Sequence, residues 1–526
     1  MLLSSLMLLI FDFTKTKNIR AGLKYLIHMH ISVVFLTIGF IWIHLETGSF
    51  NLSALANVSS QNHSLWIVVL FAVGFAIKAG FLPFHTWLPD ADSTAPSHIS
   101  GVMSGVIVKL GIFGILRIIS SLHSNLFLIG EIILSISVLS ALYGIINAAV
   151  KYDFNRSLAY CTMENIGIIG MGIGLGVMGL GINQPLLILL GFSGALLHVL
   201  NHSLFKSLLF FGTGSIFQQT GTRNIEKLGG LIKTMPKTAL FFLIGALAIG
   251  GLPPFNGFVS EFLIYTGLFK GLYAIKGISN VILLVLSIVG LVMVGGISII
   301  TFTRLFGVIF LGKPRSVLKN DAVETTFIMH LPQYLIVVAI LSIAIFPQFY
   351  LAKSAYIISS TFNSGIPIDV TQLAATYTTL SNVGVVSFYF ILLLIGVFAF
   401  RTLMVKKRTQ THNDTWGCAY GTPILKAQYS GRSYARNFSN LFSSILITKK
   451  SFVEITKGKL YPGYHKFSSY YFDFFELYLV NPVVKQISVF VNYFQFIQNG
   501  RIQSYLIYSL IFILIVFIGT ALGLIT

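Results

Sequence analysis

The fold of this chain is decided by residues 66–84, which read WIVVLFAVGFAIKAGFLPF. An apolar run leads to Lys78, and Gly80 and Pro83 then interrupt the helix that this run predicts. A lysine at the centre of a transmembrane helix costs about 3 kcal/mol on insertion scales. Chains therefore keep such a group where it faces the interior of a helix bundle or a water path, usually for a function.

The composition predicts a membrane protein. Of 526 residues, 55% are hydrophobic and only 10% are charged, whereas a soluble domain carries about 25% charged residues. Apolar runs of at least about 18 residues predict transmembrane helices. We predict an all-α polytopic protein with about 11 spans: 22–46, 65–88, 98–121, 126–150, 157–181, 186–217, 239–270, 278–311, 332–352, 383–404 and 504–524.

The formal net charge of +19 predicts an orientation rather than a nucleic-acid partner. Counting spans places five basic loops on one side, which the positive-inside rule makes cytoplasmic, with the C-terminus outside. No soluble domain interleaves a basic patch with exposed aromatic residues, so no nucleic acid is expected. Anionic lipid head groups are the expected partners of these loops, which are 15–20, 151–156, 223–237, 313–319 and 406–408.

The sequence predicts no cofactor or metal in this chain. Cys161 and Cys418 are far apart and form no CxxC pair, so they cannot assemble an Fe–S or zinc site. His198 and His202 are four residues apart but lack the glutamate of an HExxH motif. The G-x-G-x-x-G pattern at 174–179 lies in a predicted span and follows no strand, so it is not a dinucleotide site.

A second interrupted span occurs at residues 248–257, which read AIGGLPPFNG. Pro253 and Pro254 form this break, and Glu261 follows it. Two Gly/Pro-interrupted spans in the two halves of a chain indicate an inverted-repeat transporter. A structural kink packed against neighbouring helices is the alternative, and the ionisable residue beside each break favours the transporter.

Further ionisable residues follow in apolar segments. His198, His202 and Lys206 are spaced i, i+4, i+8 and therefore stack on one helix face. Histidine titrates near pH 6.5 and lysine can release its proton when desolvated, so both can pass protons. The alternatives are a polar stripe that packs helices and, for Lys78 and Lys109, a structural salt bridge.

Three other ionisable residues are candidates for the proton path, and each has a structural alternative. Glu261 is a lone carboxylate that either titrates or caps a helix beside Ser260. Glu164 and Arg304 lie near the predicted cytoplasmic ends of their spans. A solvated Glu164 and a snorkelling Arg304 are the alternatives there.

At these residues the chain resembles the antiporter-like membrane subunits shared by respiratory complex I, multisubunit cation/proton antiporters and group 4 membrane-bound hydrogenases. The motifs are GFLPFHTWLPDA at 80–91, NHSLFK at 201–206 and GLPPFNGFVSE at 251–261. The branch of hydrogenase-4 component B and formate hydrogenlyase subunit 3 is the most similar, and the segments that favour it are 163–167, 221–231 and 417–433.

The resemblance implies two inverted five-helix repeats, each holding a half-channel. It implies Lys78 as the central lysine of the first, with Lys109 as its relay, and Glu261 as the terminal residue of the second. His198, His202 and Lys206 would form the central relay of the second half-channel.

The resemblance also implies a function and partners. The chain would translocate protons or sodium ions within a redox-driven complex of a bacterial or archaeal cytoplasmic (inner) membrane. It would hold no redox centre itself, and the Fe–S clusters and NiFe centre would belong to partner subunits in a peripheral redox arm beside other membrane subunits. A subunit of a multisubunit Na⁺/H⁺ antiporter and a transport-defective scaffold are the alternative functions.

The start of this sequence departs from the family pattern. In the family, a Trp-Glu pair precedes the stretch that matches residues 1–5, and its glutamate pairs with the central lysine. Four spans and that glutamate are not within this sequence. A late start, a split gene and a defective first half-channel are the alternatives.

Residues 470–497 mix bulky apolar and charged residues and are expected to form an amphipathic helix that lies along the membrane or along neighbouring subunits. A solvated loop is the alternative because of Pro482.

The predicted organisation has six segments. The segments are an N-terminal stub (1–21), the remainder of the first repeat (22–121), the second repeat (122–311), additional transmembrane helices (312–404), a cytoplasmic-side segment with the lateral helix (405–503) and a last span (504–526).

Overall fold

The chain is almost entirely helical in a computed structural model that describes residues 2–58, 64–316, 322–362, 374–405, 428–451, 468–494 and 502–522. These parts contain ten helical segments that are long and apolar enough to cross a membrane, and strands only in one two-stranded sheet. The prediction of an all-α polytopic membrane protein is confirmed. The predicted basic loop 406–408, Cys418, residues 417–427 of the third branch motif and residues 495–497 lie outside the described residues.

The described residues form two units, Met1–Ser443 and Ser444–Thr526. The first unit contains seventeen helices in chain order: α1 Leu2–Leu9, α2 Thr16–Thr47, α3 Leu55–Val58, α4 Ser64–Ala79, α5 Trp87–Thr94, α6 Ser97–Val102, α7 Val108–Ile119, α8 Leu126–Ala148, α9 Phe154–Gly181, α10 Pro185–Thr220, α11 Pro236–Ile249, α12 Asn256–Ala274, α13 Ile278–Phe310, α14 Phe327–Ile345, α15 Pro347–Thr361, α16 Ala374–Val405 and α17 Gly431–Leu441.

The second unit contains an antiparallel pair of strands and two helices. Strands β1 (Ile447–Ser451) and β2 (Ser468–Phe472) pair with Ile447 opposite Phe472. A π-helical turn leads into α18 (Asn481–Asn492), and α19 (Ile502–Ala521) follows. The expected helix over 470–497 is therefore wrong at its start, because the sequence SSYYF of β2 is aromatic and pairs with β1. Pro482 does not break this helix, since it occupies the first turn of α18, where no backbone N–H is needed.

Two predicted spans are divided in the structure. The span predicted at 239–270 consists of α11 and α12, which the second Gly/Pro break separates. This matches the predicted break, whereas the span predicted at 332–352 is wrong as a single helix, because α14 ends at Ile345 and α15 starts anew at Pro347. Proline lacks an N–H and clashes with the preceding turn, so it starts a helix more readily than it continues one.

Helix α9 lies at the centre of the bundle. Its apolar window is completely buried, and α8 and α10 make its most extensive contacts. Glycines allow these helices to approach: a Cβ at Gly167 would lie 2.5 Å from Ala141 N and 2.6 Å from Ser137 O. The glycines of the 174–179 pattern serve the same purpose, since a Cβ at Gly174 would lie 2.7 Å from Leu134 N.

The two Gly/Pro breaks each use a glycine in a left-handed conformation. Gly80 has a φ of 78° and ends α4, and Gly251 has a φ of 63° between α11 and α12. An L-residue with a side chain rarely adopts such values. The backbone freed by the first break is satisfied locally, because the indole Nε1 of Trp87 donates a 2.9 Å hydrogen bond to the carbonyl of Ile77.

The close approach of α8 and α9 predicts a strong effect of a small substitution. We expect Gly167→Ala to lower the free energy of unfolding by about 1–3 kcal/mol, since the added methyl group meets backbone atoms that cannot move aside. Thermal unfolding of the detergent-solubilised protein measures it. Gly295→Ala is the matched control, because no atom lies within 4 Å of its added Cβ. Equal unfolding temperatures for the two variants would contradict the packing described.

Candidate functional site

Five of the six residues predicted for the ion path are buried inside the bundle. The exposed fraction is 9% for Lys109 and Glu261 and 0% for His198, His202 and Lys206. They come from three helices, α7, α10 and α12, that pack around α9. Each ionisable group in this interior needs a partner, because unsatisfied charge is costly away from water.

Lys109 is positioned by an irregular turn that precedes α7. Residues Met103–Ile107 form a π-helical turn, a feature that occurs frequently at functional sites. The Lys109 ammonium donates a 2.5 Å hydrogen bond to the carbonyl of Ser104 within this turn. The turn is held against α10, because the hydroxyl of Ser203 donates a 2.6 Å hydrogen bond to the carbonyl of Gly105.

Lys109 and His202 form the central contact of the site. The Lys109 Nζ lies 2.5 Å from His202 Nδ1. If both groups carried a charge, their repulsion at this distance would be about 7 kcal/mol at an effective dielectric constant near 20. A charge on both groups at once is therefore disfavoured, so protonation of one group favours loss of a proton from the other.

His198 has hydrogen-bond partners for both of its protonation states. Its Nε2 lies 3.1 Å from Asn165 Oδ1, which can only accept, and its Nδ1 lies 2.9 Å from the hydroxyl of Ser260. In a neutral ring, Nδ1 accepts a hydrogen bond from the Ser260 hydroxyl. A protonated ring donates to Ser260, whose hydroxyl then donates to the carbonyl of Gly257, 3.0 Å away. The site can thus hold His198 with or without a second proton.

Asparagine residues fasten α10 to α12 at the same level. The amide of Asn201 donates to the carbonyl of Asn256 at 2.7 Å and to the Ser260 hydroxyl at 2.8 Å. The Asn256 amide donates in return to Asn201 Oδ1 at 3.0 Å. These bonds fix Ser260 and, next to it, Glu261 relative to the histidines.

Glu261 rests on the second helix break. A Cβ at Gly251 would lie 2.5 Å from Glu261 Oε2, so the carboxyl group packs directly on this glycine. Glu261 is not a helix cap, because α12 begins at Asn256 and its N-cap position is Phe255. The carboxyl group therefore lies beside the irregular backbone of the second break.

Lys206 and Glu164 connect α10 to α9. The Lys206 ammonium donates to the carbonyl of Leu158 and interacts electrostatically with Glu164. Glu164 is 1% exposed, which excludes the solvated alternative. Its Oε2 has no hydrogen-bond partner among the residues that the structure describes.

Lys78 and Arg304 are the remaining predicted residues of the ion path. Lys78 is half-buried at the end of α4, so its predicted role stays a prediction. Arg304 does not snorkel, because it is 1% exposed. Its guanidinium donates to the carbonyls of Ala148 and Lys151 at 3.4 and 2.6 Å, where it satisfies the C-terminal carbonyls of α8. These bonds give Arg304 a structural role, and its place in the ion path stays a prediction.

The sequence reasoning missed Asp92. This residue is completely buried, and its charge interacts with Lys206 and Lys109. The predicted span ended at residue 88, whereas the helical segment extends to Thr94. An acidic residue nine positions after Pro83 of the first Gly/Pro break was the available signal. The nearby Asp90 instead forms ion pairs with Lys24 and Arg156, at 2.8 and 2.9 Å.

The chemistry of this arrangement is proton exchange. Its members are bases, carboxyl groups and hydroxyls that can hold or release a proton. No cluster of three or more His, Cys, Asp or Glu residues suited to a metal ion occurs in the described part of the chain. The buried row of Lys109, His202, Lys206, His198 and Glu261 is called the polar row below.

Comparisons with known proteins confirm the resemblance of the motifs. Residues 1–293 match the family described as "NADH:quinone oxidoreductase/Mrp antiporter, TM". The chain is 32% identical to hydrogenase-4 component B of Escherichia coli (strain K12) over 99% of its own length and 79% of that protein. It is 40% identical to formate hydrogenlyase subunit 3 of the same strain over 50% of its own length and 43% of that protein.

The fold is also similar to that of a solved membrane complex. A chain in the structure of the membrane-bound sulfane sulfur reductase, an archaeal respiratory membrane complex, superposes with a TM-score of 0.68 at 22% identity. The match covers 98% of this chain and 78% of that chain.

Proposed function

The chain belongs to the NADH:quinone oxidoreductase/Mrp antiporter transmembrane family, and from this we propose that it moves protons across the membrane as an antiporter-like subunit of a redox-driven complex. The observation that carries the proposal is the 2.5 Å contact between Lys109 and His202, two side chains in the buried interior that can each hold or release a proton. Membership of the family does not identify the transported ion or its path through the chain, and we infer both from this contact.

The composition of the polar row favours the proton over the sodium ion. A sodium ion needs several oxygen ligands, typically carbonyl and carboxyl groups. The Ser104 carbonyl, an oxygen near the centre of the row, instead accepts from the Lys109 ammonium. A positive charge held by Lys109 and His202 would repel a metal cation. A transferred proton takes the place of the proton that already carries this charge, so the net charge of the pair does not rise.

The proposed route runs from α7 to α12. A proton on the Lys109–His202 pair is passed along the α10 face to His198, which is one turn away and can be neutral or protonated. Ser260 connects the His198 ring to the start of α12, where Glu261 follows. Glu261 would then exchange the proton with the aqueous phase beside the second break. Lys78 would serve the first half-channel in the same way.

The partners follow from the relatives. The matched relatives and the solved neighbour are parts of multisubunit membrane complexes, so we propose that this chain contacts other membrane subunits. A peripheral redox arm would carry the Fe–S clusters and a NiFe centre, as the hydrogenase names of the relatives suggest. The complex would lie in the cytoplasmic membrane of a bacterium or an archaeon, with lipids around the chain.

The proposal predicts that Lys109 is required for proton movement. We expect Lys109→Met to abolish proton uptake into proteoliposomes that hold the complete complex, because methionine keeps the length of the side chain but cannot carry a proton. Lys276→Met is the matched control, since Lys276 lies in an exposed loop. Redox turnover of the complex is measured beside proton uptake.

Two outcomes would contradict this function. Full proton uptake by Lys109→Met at normal turnover would exclude the Lys109–His202 pair from the path. Uptake that depends on sodium in the wild-type complex would favour the sodium antiporter alternative. Loss of uptake in Lys276→Met as well would show that the assay reports assembly rather than transport.

Helix α18 is proposed to brace a neighbouring subunit. Its apolar residues are exposed, with fractions of 47% for Val483, 56% for Ile487 and 62% for Phe490. We expect Ile487→Asp to reduce co-purification of the other membrane subunits, because it places a charge on this apolar face. Ser488→Asp on the polar face is the control and should leave co-purification unchanged. Equal co-purification of both variants would argue against a bracing role.

A further inference from the structure

A cavity of about 650 Å³ lies at the end of the bundle where the basic loops occur. It is called the basic cavity here, and its lining includes Lys15, Lys17 and Arg223 beside Asp12 and Asp153. The Lys15 side chain is 69% exposed, so the cavity is open to solvent on that side. Water and dissolved protons therefore reach this end of the bundle.

The inner wall of the basic cavity is polar. Ser97 and Ser215 line it and are 7% and 1% exposed. The amide of Asn155 lies 3.5 Å from the Ser97 hydroxyl, and its Oδ1 has no partner within the described ranges. Polar atoms buried in this way usually contact ordered water. The hydroxyl groups of this wall can therefore transfer protons from the cavity toward the interior of the bundle.

Asp92 follows directly behind this wall. Its neighbours in sequence, Ser93 and Thr94, line the cavity, whereas Asp92 itself is 0% exposed. Neither carboxyl oxygen of Asp92 has a hydrogen-bond partner in the part of the chain that is described. The last turn of α5 is fixed, because the Ser100 hydroxyl donates a 2.9 Å hydrogen bond to the Asp92 carbonyl.

The charges around Asp92 make both of its protonation states accessible. The cations that act on its carboxyl group are Lys206 on α10 and Lys109 next to the π-helical turn. On the packed helices α2 and α9, Lys24 and Arg156 are instead engaged by Asp90. A protonated Asp92 is neutral and tolerates burial, and an ionised Asp92 is stabilised by a charged lysine nearby.

We propose that Asp92 carries protons between the basic cavity and the lysines of the polar row. The O–H bond of the Asp92 carboxyl group breaks as an N–H bond forms on the neutral amine of Lys109 or Lys206. A hydronium ion of the cavity then releases a proton that reaches the carboxylate through the hydroxyl groups of the polar wall, which leaves water in the cavity. This inference rests on the proposed function, because it gives the entry point of the same path.

Asp92→Asn tests the inference in the complete, reconstituted complex. The amide keeps the shape of the carboxyl group but cannot carry the proton, so we expect proton uptake to fall by about a hundredfold or more. Asp12→Asn is the matched control, because Asp12 lines the same cavity at its exposed side, and it should retain uptake. Asp92→Glu keeps a carboxyl group and should retain part of the uptake with a shifted pH profile.

Infrared spectroscopy gives a readout that a purely structural role would not move. The difference spectrum between two pH values should contain a carboxyl C=O band that Asp92→Asn lacks and Asp12→Asn retains. A spectrum unchanged by Asp92→Asn would overturn the proposal. If Asp92→Asn does not assemble, an unchanged pH profile of Asp92→Glu would overturn it instead.

The Lys109→Met variant separates the role of Asp92 from the proposed function of the chain. Inactive Lys109→Met together with fully active Asp92→Asn would overturn the role of Asp92 alone. Full activity of both variants would overturn the proposed function itself. Loss of uptake in both, with Asp12→Asn active, is the expected result.

Discussion

An ionisable group in the interior of a transmembrane bundle must be stabilised by other groups of the same chain, and this constraint explains most of the architecture. The contact of Lys109 with His202 is the clearest example, since a positive charge on one base disfavours a positive charge on the other. The π-helical turn before α7 brings Lys109 to this position and supplies a backbone acceptor from Ser104. The irregular backbone is therefore part of the site and not a defect of the helix.

Close packing around α9 gives the site its rigidity. Glycines on α8, α9 and α10 let three helices approach until backbone atoms are in contact, and such an interior transmits small displacements rather than absorbing them. The same packing places the Leu158 carbonyl of α9 against Lys206. It also buries Glu164, so that a carboxyl group lies beside the lysine. Helix packing and proton chemistry are thus served by the same helix.

The sequence predicted much of this arrangement and failed where tertiary contacts decide. The spans followed from apolar length, and both breaks followed from glycine and proline beside a charge. The i, i+4, i+8 spacing of His198, His202 and Lys206 placed them on one face, and all three are buried. The contact of Lys109 with His202 joins positions 93 residues apart, and no local pattern could predict it.

The failures have physical causes that can be named. Asp92 lay beyond the predicted end of its span, because hydropathy falls at Pro89 and Asp90 although the helical segment continues to Thr94. Arg304 was expected to snorkel, but two carbonyls at the end of α8 hold it inside. Exposure of a charged side chain near a helix end depends on neighbouring helices, which a single sequence does not show.

Glu261 decides whether the polar row continues to α12, because it lies on a different helix from the Lys109–His202 pair. The measurement is proton uptake into proteoliposomes during redox turnover of the complete complex that carries Glu261→Gln. Glutamine preserves shape and hydrogen bonding on Gly251 but cannot titrate. We expect uptake to be lost while the redox reaction continues, whereas full uptake at normal turnover would exclude Glu261 from the proton path.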